Sequence, residues 1–361
     1  DTLYYYGEPT DYVYSADKRM KASTNDLNSF IQYRHNFGAL LTTNIGGRVD
    51  YMNFTENTFF SPRFSVSYKL TDKTEISAAA GRHYQAPDWY QLAFNGRGTK
   101  LKHYYTDQYV IGISHLFTED VRGSIEVYHK SYRDIPVSQS EITDDPYDME
   151  LDYINHMKGY SNGIEFFLQK KVKENFWGTL SYSYSDAKNL DPRKALWSGE
   201  GENPYGYFSK SFDYGHVFTG VLGYQAQYKD YEWYQNMKTK RWYKILRYLS
   251  ILPSDLTEYS IRYRYLGGRP YSKRTYDPGF EEWYVDPGTP YNELRMRAYE
   301  RLDLRIQSQW YKGRTTISSY IEIDNILSRK NIYGYSYNSD GTVEEIYQLP
   351  LIPMAGIIIE F

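Results

Sequence analysis

Strict alternation of apolar and polar residues over short segments is the feature that most limits how this chain can fold. Between residues 299 and 361 apolar side chains recur at every second position, in three segments separated by polar breaks. A period of two is typical of a β-strand with one apolar and one polar face. The apolar positions in these segments are Leu302, Leu304, Ile306, Trp310, Ile317, Ile321, Ile323, Ala355, Ile357, Ile359 and Phe361.

The same unit recurs along most of the chain. Around residue 260, for example, Tyr259 and Ile261 alternate with Ser260 and Arg262. We predict about 13 or 14 such strands. Their connections alternate in length, which is the pattern of an antiparallel transmembrane β-barrel with short turns at one end and long loops at the other. Short turns are expected near 37–40, 71–73, 118–120, 172–175 and 311–314, and long loops near 52–61, 85–105, 136–154, 188–212, 268–298 and 328–350.

Composition supports a barrel in a membrane. Mean hydropathy is −0.71, yet 18% of residues are aromatic and 43 are tyrosine. Tyrosine suits a boundary that is apolar on one side and wet on the other. The sequence has no run of 18 apolar residues that would form a transmembrane helix. It also has no cysteine, and its net charge of −3 predicts no nucleic-acid partner.

One connection, residues 229–255, is long where a short turn is expected. Trp242, Ile245 and Leu249 fall at helical spacing, and Lys240 and Lys244 flank them. The pattern predicts a basic amphipathic helix inserted on the periplasmic side. Two interpretations are open: a helix that packs on the end of the barrel, or a helix that lies in the lipid headgroups of the inner leaflet.

Several short blocks, taken in order, resemble the C-terminal barrel of TonB-dependent outer-membrane receptors. Each block alone is weakly specific, but their order and spacing extend over nearly the whole chain. The blocks are residues 61–65 (SPRFS), 81–87 (GRHYQAP), 126–132 (EVYHKSY), 161–165 (SNGIE), 267–271 (GGRPY), 301–305 (RLDLR) and 324–327 (DNIL) with Lys330 and Asn331, followed by the last strand.

The resemblance implies a 22-stranded barrel with a plug in its lumen. With only about 13 or 14 strands here, we expect the plug, the segment that contacts TonB and roughly the first eight strands to lie upstream or in a second chain. Residues 1–361 are therefore predicted to be the C-terminal part of the barrel. Its expected partners are outer-membrane lipid, the missing strands and plug, TonB, ExbB and ExbD, and a bulky nutrient ligand.

Neither catalysis nor a cofactor is predicted. The seven histidines are scattered, and none has the spacing of a metal site. Asp144, Asp145, Asp148, Glu150 and Asp152 crowd one loop, which is either a solvated acidic loop or a calcium site. Charges on the polar faces of the strands are expected to pair across the wall: Arg48, Asp50, Arg63, Glu126, Glu165, Arg262, Arg264, Asp303, Arg305, Glu322 and Asp324.

Two groups of candidate site residues follow. Loop aromatics are either an interfacial girdle or a rim that catches ligand, and basic residues near one loop could attract an anionic ligand such as a ferric siderophore. The ligand-binding candidates are Arg82, Trp89, Tyr90, Arg97, Trp197, Trp283 and Tyr284. By resemblance, Ile357, Ile359 and the terminal Phe361 form the signal that outer-membrane barrels present to their assembly machinery.

The leading hypothesis is active, TonB-dependent uptake of a scarce nutrient across the outer membrane of a Gram-negative bacterium. Siderophore-bound iron and cobalamin are examples of such cargo, and the sequence does not select one. A passive porin, or a barrel that only binds partners at the surface, is the alternative. A third hypothesis is a secreted, soluble all-β binding protein, which the segregated loops and the terminal phenylalanine disfavour.

Overall fold

The computed structural model describes residues 26–93, 101–138, 153–191, 206–285 and 291–361. These residues form one antiparallel sheet of 14 strands and three small two-stranded sheets. The acidic residues Asp144, Asp145, Asp148, Glu150 and Asp152 lie outside the described residues. The all-β fold expected from the alternation is confirmed.

The strands of the large sheet follow the chain. They are β1 (Asp26–Phe37), β2 (Leu41–Met52), β3 (Asn57–Thr71), β4 (Thr74–Gln85), β5 (Tyr104–Leu116), β6 (Val121–Ser138), β7 (Tyr153–Lys173), β8 (Phe176–Leu190), β9 (Phe208–Ser209), β10 (His216–Gln227), β11 (Leu256–Leu266), β16 (Tyr299–Lys312), β17 (Thr315–Asp324) and β20 (Ile352–Glu360). Between them lie the short strands β12 (Pro270–Tyr271), β13 (Arg274–Asp277), β14 (Glu282–Val285), β15 (Leu294–Arg295), β18 (Ile332–Tyr337) and β19 (Val343–Tyr347).

Each long strand pairs with the next long strand along the chain, as in a meander. Two-residue β9 pairs only with β8, which leaves 13 strands in the main order and agrees with the predicted 13 or 14. Strands β1 and β20 lie at the two ends of this order and do not pair with each other within the described residues. The described sheet is therefore an open wall.

The connections sort to two ends, as predicted. Turns at 38–40, 72–73, 117–120, 174–175 and 313–314 lie at the same end as Phe361, here called the short-turn end. The connection between β10 and β11 also lies at this end, and the other connections between described strands lie at the opposite, long-loop end. The predicted long loop at 52–61 is wrong, because β3 already begins at Asn57, opposite Met52, after a four-residue turn. Consecutive Phe59 and Phe60 break the alternation there, so the pattern missed the start of the strand.

The described helices are short. They are α1 (Trp89–Ala93), α2 (Glu232–Thr239) and α3 (Arg241–Leu246), and a 3-10 turn follows at Arg247–Leu249. In the part of the chain that the structure describes, none is both long and apolar enough to cross a membrane.

Cross-strand register gives the sheet two chemically distinct faces. On one face, here called the apolar face, Ile261 lies opposite Leu304, which lies opposite Ile323. On the other, the polar face, Arg262 lies opposite Asp303. Side chains of the apolar face are strongly exposed, for example Ile111 at 64% and Leu222 at 66%. An exposed apolar surface of this extent fits contact with lipid rather than water.

Candidate functional site

A dense group of ion pairs occupies the polar face of β11, β16 and β17 near the long-loop end. At its centre the Asp303 carboxylate, 2% exposed, accepts hydrogen bonds from Arg262 Nε at 2.9 Å and Arg301 Nε at 2.5 Å. The guanidinium of Arg264 lies 3.4 Å away, and the backbone N–H of Asn325 donates to the same carboxylate at 2.9 Å. Each acceptor of this buried carboxylate is therefore satisfied within the wall.

Arg262 and Arg301, together with Arg305, bind two further carboxylates. Arg262 and Arg305 donate to Glu322 at 3.2 and 2.9 Å, and Arg301 forms an ion pair with Asp324. The predicted pairing across the wall is confirmed for this group. Arg301 was missed, although it has the same parity as Asp303 and would have been found by extending the alternation by one step. We call these side chains the arginine cluster: Arg262, Arg264, Arg301, Asp303, Arg305, Glu322 and Asp324.

Polar-face charges on the strands from β1 to β7 are sparser. Arg48 pairs with Asp50 two residues along its own strand, at 2.6 Å. The exposed side chains of Arg63, Glu126 and Glu165 have no ion-pair partner among the described residues, and Glu126 lies opposite Glu165 in the register. Carboxylates placed directly opposite each other repel, so the wall alone does not neutralise the charges of this pair.

An open cavity of about 480 Å³ lies on the polar face of β1 to β5. Its lining combines a guanidinium, an imidazole and side-chain amides with small residues that leave room for another molecule. Groups of this kind bind a polar surface through hydrogen bonds. The polar side chains that line it are Gln32, Asn44, Arg48, Arg63, Ser65, His83 and Gln108.

The Asp-Asn-x-x-x-x-x-Asn block after β17 closes the long-loop end beside the arginine cluster. Asn325 has φ of +53°, and its side chain bonds Arg329 in both directions, to the backbone carbonyl and from the backbone N–H, each at 3.0 Å. Asn331 bridges the backbone of Glu300 in the same way, at 2.9 and 3.0 Å. Asparagine suits both positions because its side chain both donates and accepts, and at Asn325 it also tolerates the positive φ.

The paired glycines after β11 are required by a close approach of two backbones. A β-carbon at Gly267 would fall on the carbonyl oxygen of Tyr214, and one at Gly268 on that of Met296. The backbone after β11 therefore lies directly against the backbone before β10 and the backbone before β16, without side chains between them.

Trp283 joins two long loops of this end. Its Nε1 donates to the backbone carbonyl of Asn338 at 2.8 Å, and its ring packs against Tyr276 and Tyr337. Arg297 and Glu345 add an ion pair at 2.6 Å between the same two loops. The hairpin of β13 and β14 is thereby fixed to that of β18 and β19. The adjacent Tyr284 remains exposed at 46%.

Trp89 lies on a separate loop group above β2 and β3. Its ring meets Phe54 edge to face at 5.5 Å, beside the small apolar cluster of Met52, Leu92 and Leu101. Below it, His103 stacks on Phe59 at 4.1 Å, and burial lowers the pKa of this imidazole. Trp89 itself is 49% exposed.

Arg82 lies on the apolar face of β4 rather than in the polar cavity. It forms a bidentate pair with Asp107 at 2.7 and 2.8 Å, and its guanidinium stacks over the ring of Tyr105 at 4.2 Å. Ile357 and Ile359 are exposed on the apolar face of β20, and Phe361 follows the strand. Arg97 and Trp197 lie outside the described residues, and of Tyr90 only the backbone, in α1, is described.

The four candidate ligand residues whose side chains are described, Arg82, Trp89, Trp283 and Tyr284, therefore do not lie at one point. Trp89 belongs to the loops above the first strands, whereas Trp283 and Tyr284 belong to loops above the last strands. Across the described ranges, no group of three or more His, Asp or Glu side chains is arranged to hold a metal ion.

Residues 1–326 match the sequence model of a family described as TonB dependent receptor-like, beta-barrel. The chain belongs to this family. TonB-dependent receptors are outer-membrane proteins of Gram-negative bacteria, and this is the location of the chain. No curated protein sequence matches the chain.

Solved TonB-dependent receptors share the fold. The ferripyoverdine receptor of Pseudomonas aeruginosa matches with a TM-score of 0.61 and 14% identity, over 92% of this chain and 38% of its own. The FrpB iron transporter of Neisseria meningitidis gives 0.60 and 13%, over 93% and 45%. The copper transporter OprC gives 0.59 and 13%, over 98% and 50%. The chain thus spans between two fifths and one half of the length of these neighbours.

Proposed function

We propose that this chain supplies the C-terminal wall and the long loops of a receptor that actively takes up a bulky, scarce nutrient across the outer membrane. Siderophore-bound metal and cobalamin are the cargo classes that we favour. The observation that carries the proposal is the family match over 1–326, in a sheet with one exposed apolar face and one charged face. The neighbours named for ferripyoverdine, iron and copper support the class of cargo.

Energy would come from TonB, ExbB and ExbD through a segment outside this chain. The remaining barrel strands and the plug would complete the lumen. No bond-making chemistry is proposed, because the family consists of receptors and transporters.

The uneven charge on the polar face supports a specific place for the plug. In the arginine cluster every carboxylate forms an ion pair within the wall, although Asp324 Oδ1 and Arg264 Nε have no hydrogen bond among the described residues. Arg63, Glu126 and Glu165 lie on exposed polar-face positions and have no ion pair within the described wall. We propose that plug side chains of opposite charge meet the wall in this region, from β3 to β7.

Cargo contact is proposed for the exposed aromatics of both loop groups. Trp89 and Tyr284 present free ring surface, and rigid rings bind with few rotamers to immobilise. Tyr90, Arg97 and Trp197 remain part of this proposal. Trp283 and Arg82 are given supporting roles, because the first joins two loops and the second is engaged by Asp107.

Ile357, Ile359 and Phe361 are proposed as the assembly signal. All three are apolar, exposed and at the short-turn end, where a folding catalyst could read them. Truncation of Phe361 should lower the amount of folded barrel in the membrane without changing uptake per folded molecule.

The function is tested by uptake in cells that express the full-length receptor. A panel of metal-loaded siderophores and cobalamin, each radiolabelled, would be offered to otherwise identical strains with and without tonB. The proposal expects accumulation of one cargo that is lost without tonB. Equal accumulation in both strains would instead establish a passive porin, and binding without accumulation would establish a surface-binding barrel.

A further inference from the structure

The connection between β10 and β11 is the one long segment among the described residues at the short-turn end. It contains α2, α3 and the 3-10 turn, and we call residues 229–255 the insertion. Its position on the sheet decides what it can contact, because a helix over the lumen and a helix on the outer wall meet different solvents.

The insertion packs on the apolar face of the sheet. Trp310, 4% exposed, donates from Nε1 to the hydroxyl of Tyr243 at 3.1 Å, and its ring meets Tyr248 at 5.1 Å. Ser250 Oγ lies 2.6 Å from Ser319 Oγ. Trp310 and Ser319 have the parity of Ile306 and Ile321, which are on the apolar face.

The row beneath the insertion is polar, whereas the neighbouring row on the same three strands is aromatic and aliphatic. Thr257 lies opposite Ser308, which lies opposite Ser319, and all three are buried. The next row on the same face is Tyr259, Ile306 and Ile321. Three hydroxyls on an uncovered outer wall would meet hydrocarbon without partners, which is unfavourable. The insertion covers these three hydroxyls, and its Ser250 forms a hydrogen bond with Ser319.

A buried aromatic and carboxylate core fixes the insertion to the wall. Tyr234 and Tyr243 are both fully buried. Tyr234 donates to Asp255 at 3.0 Å, Lys238 pairs with the same carboxylate at 2.8 Å, and the backbone N–H of Tyr311 in β16 donates to it at 3.0 Å. This arrangement orients the segment and leaves its other side turned away from the sheet.

That other side is both apolar and basic. Ile245 and Ile251 are 68% and 66% exposed, and Trp242 and Leu249 are also exposed. Between residues 233 and 254 the sequence has five basic residues and no acidic one. Lys238 is neutralised by Asp255, whereas Lys240, Arg241 and Lys244 are exposed and have no ion pair with any described residue. The fifth, Arg247, is half-buried and donates to the hydroxyl of Tyr248 at 2.5 Å.

We propose that the insertion is a lipid-binding segment that docks in the phospholipid headgroups around the short-turn end of the barrel. The exposed side chains of Lys240, Arg241 and Lys244 bind anionic phosphodiester headgroups, and the exposed apolar side chains enter the acyl boundary. Two features select lipid as the occupant: the charge is complementary to anionic headgroups, and the segment lies on the face that already meets lipid. The proposal rests on the outer-membrane location and not on the nature of the cargo.

The test uses the full-length receptor with a single environment-sensitive probe on the insertion. Because the chain has no cysteine, Ile245→Cys provides one labelling site in it. The labelled receptor is reconstituted into nanodiscs of phosphatidylcholine that contain equal mole fractions of brominated phosphatidylglycerol or brominated phosphatidylcholine. Bromine quenches the probe only on close contact.

We expect quenching by brominated phosphatidylglycerol to be several-fold stronger than by brominated phosphatidylcholine. Replacing Lys240, Arg241, Lys244 and Arg247 by Gln should remove most of this preference while apolar contact persists. The matched control replaces four exposed basic residues in or beside other short turns, Lys73, Lys171, Lys312 and Arg314, and should leave the quenching at residue 245 unchanged. Should the quadruple variant fold poorly, Lys240→Gln with Lys244→Gln should give an intermediate loss.

Two results would overturn the proposal. Absence of quenching by either lipid would place the insertion in water, as expected for a surface that binds a protein partner. Equal quenching by both lipids, unaffected by the Gln substitutions, would show apolar contact without headgroup recognition.

Discussion

The two halves of the polar face satisfy their charges in opposite ways. On β11, β16 and β17, four arginines surround three carboxylates, and Asp303 is almost fully buried. On the strands from β3 to β7, Arg63, Glu126 and Glu165 are exposed and lack ion pairs within the described wall. We infer that ion pairs stabilise the last strands from within the wall, whereas the proposed contact with the plug would balance the charges of the earlier strands.

The largest effect is expected from Asp303→Asn. It leaves Arg262, Arg264 and Arg301 without their shared carboxylate, and loss of one member of a buried ionic group costs about 3 kcal/mol. Denaturant unfolding of the reconstituted receptor would measure this. Asp50→Asn is the control, since the Arg48–Asp50 pair is more accessible to solvent than Asp303 and should contribute less than about 1 kcal/mol. Equal losses in both variants would remove the contrast between the halves.

Asn325→Ala should have the next largest effect. Alanine at a φ of +53° is strained, and the two bonds to Arg329 are lost, which together cost about 2 kcal/mol. Asn325→Gly relieves the strain but not the lost bonds, so it should recover part of the stability in the same unfolding assay. A glycine variant as unstable as the alanine variant would show that backbone strain plays no part.

Trp283→Ala should loosen two loops without affecting the wall. The hairpin of β13 and β14 would lose its contact with Asn338 and Tyr337, so limited proteolysis between 267 and 298 should accelerate several-fold. Trp89→Ala should accelerate cleavage only near its own loop. Cleavage at both loops in either variant would mean that the two loop groups are coupled.

A smaller, pH-dependent effect is expected at Lys210, which is buried over the ring of Tyr132 at 3.4 Å. Burial, with the nearby charge of Lys130, lowers the pKa of Lys210 to about 8. Between pH 8 and 10.5, Lys210 binds fewer protons when it is buried than when the segment 206–215 opens to water. The free energy of this local opening should therefore rise across that range. Hydrogen exchange of residues 206–215 would detect it, and Lys210→Met should abolish the dependence.

The smallest effect on the wall is expected from Arg63→Gln. An exposed side chain without a partner in the wall should change the free energy of unfolding by less than about 0.5 kcal/mol. In the plugged, full-length receptor the same change should weaken contact with the plug, seen as faster hydrogen exchange there. A stability loss as large as that of Asp303→Asn would contradict the division of the polar face.

Much of this architecture could be predicted from alternation alone, because a period of two fixes both the strand and its faces. Ile261 and Arg262 were assigned to opposite faces correctly, and the short turns fell where expected. Alternation failed at Phe59 and Phe60, where both faces carry a bulky side chain. Alternation also could not predict that the indole N–H of Trp283 donates to the backbone carbonyl of Asn338, since that contact joins residues 55 positions apart.

The insertion shows the same limit in another form. Helical spacing of Trp242, Ile245 and Leu249 was visible in the sequence, and helices are present there. The face of the sheet on which it rests depends on Tyr243, Trp310 and Ser319, which come together only through strand register. Polar residues such as Ser308 and Ser319 at apolar-face positions are the sequence signal that this part of the face is covered.

The most direct test of the account is the accessibility of alternate residues on one strand of the reconstituted receptor. Single cysteines would be placed at Phe64, Val66 and Tyr68. The fluorescence of a probe attached to each should be quenched by brominated lipid, and each unlabelled thiol should resist a charged, membrane-impermeant reagent. Cysteines at Arg63, Ser65 and Ser67 should show the opposite behaviour. If both sets react alike, or if the apolar set reacts with the charged reagent, then the strand does not separate lipid from an aqueous lumen.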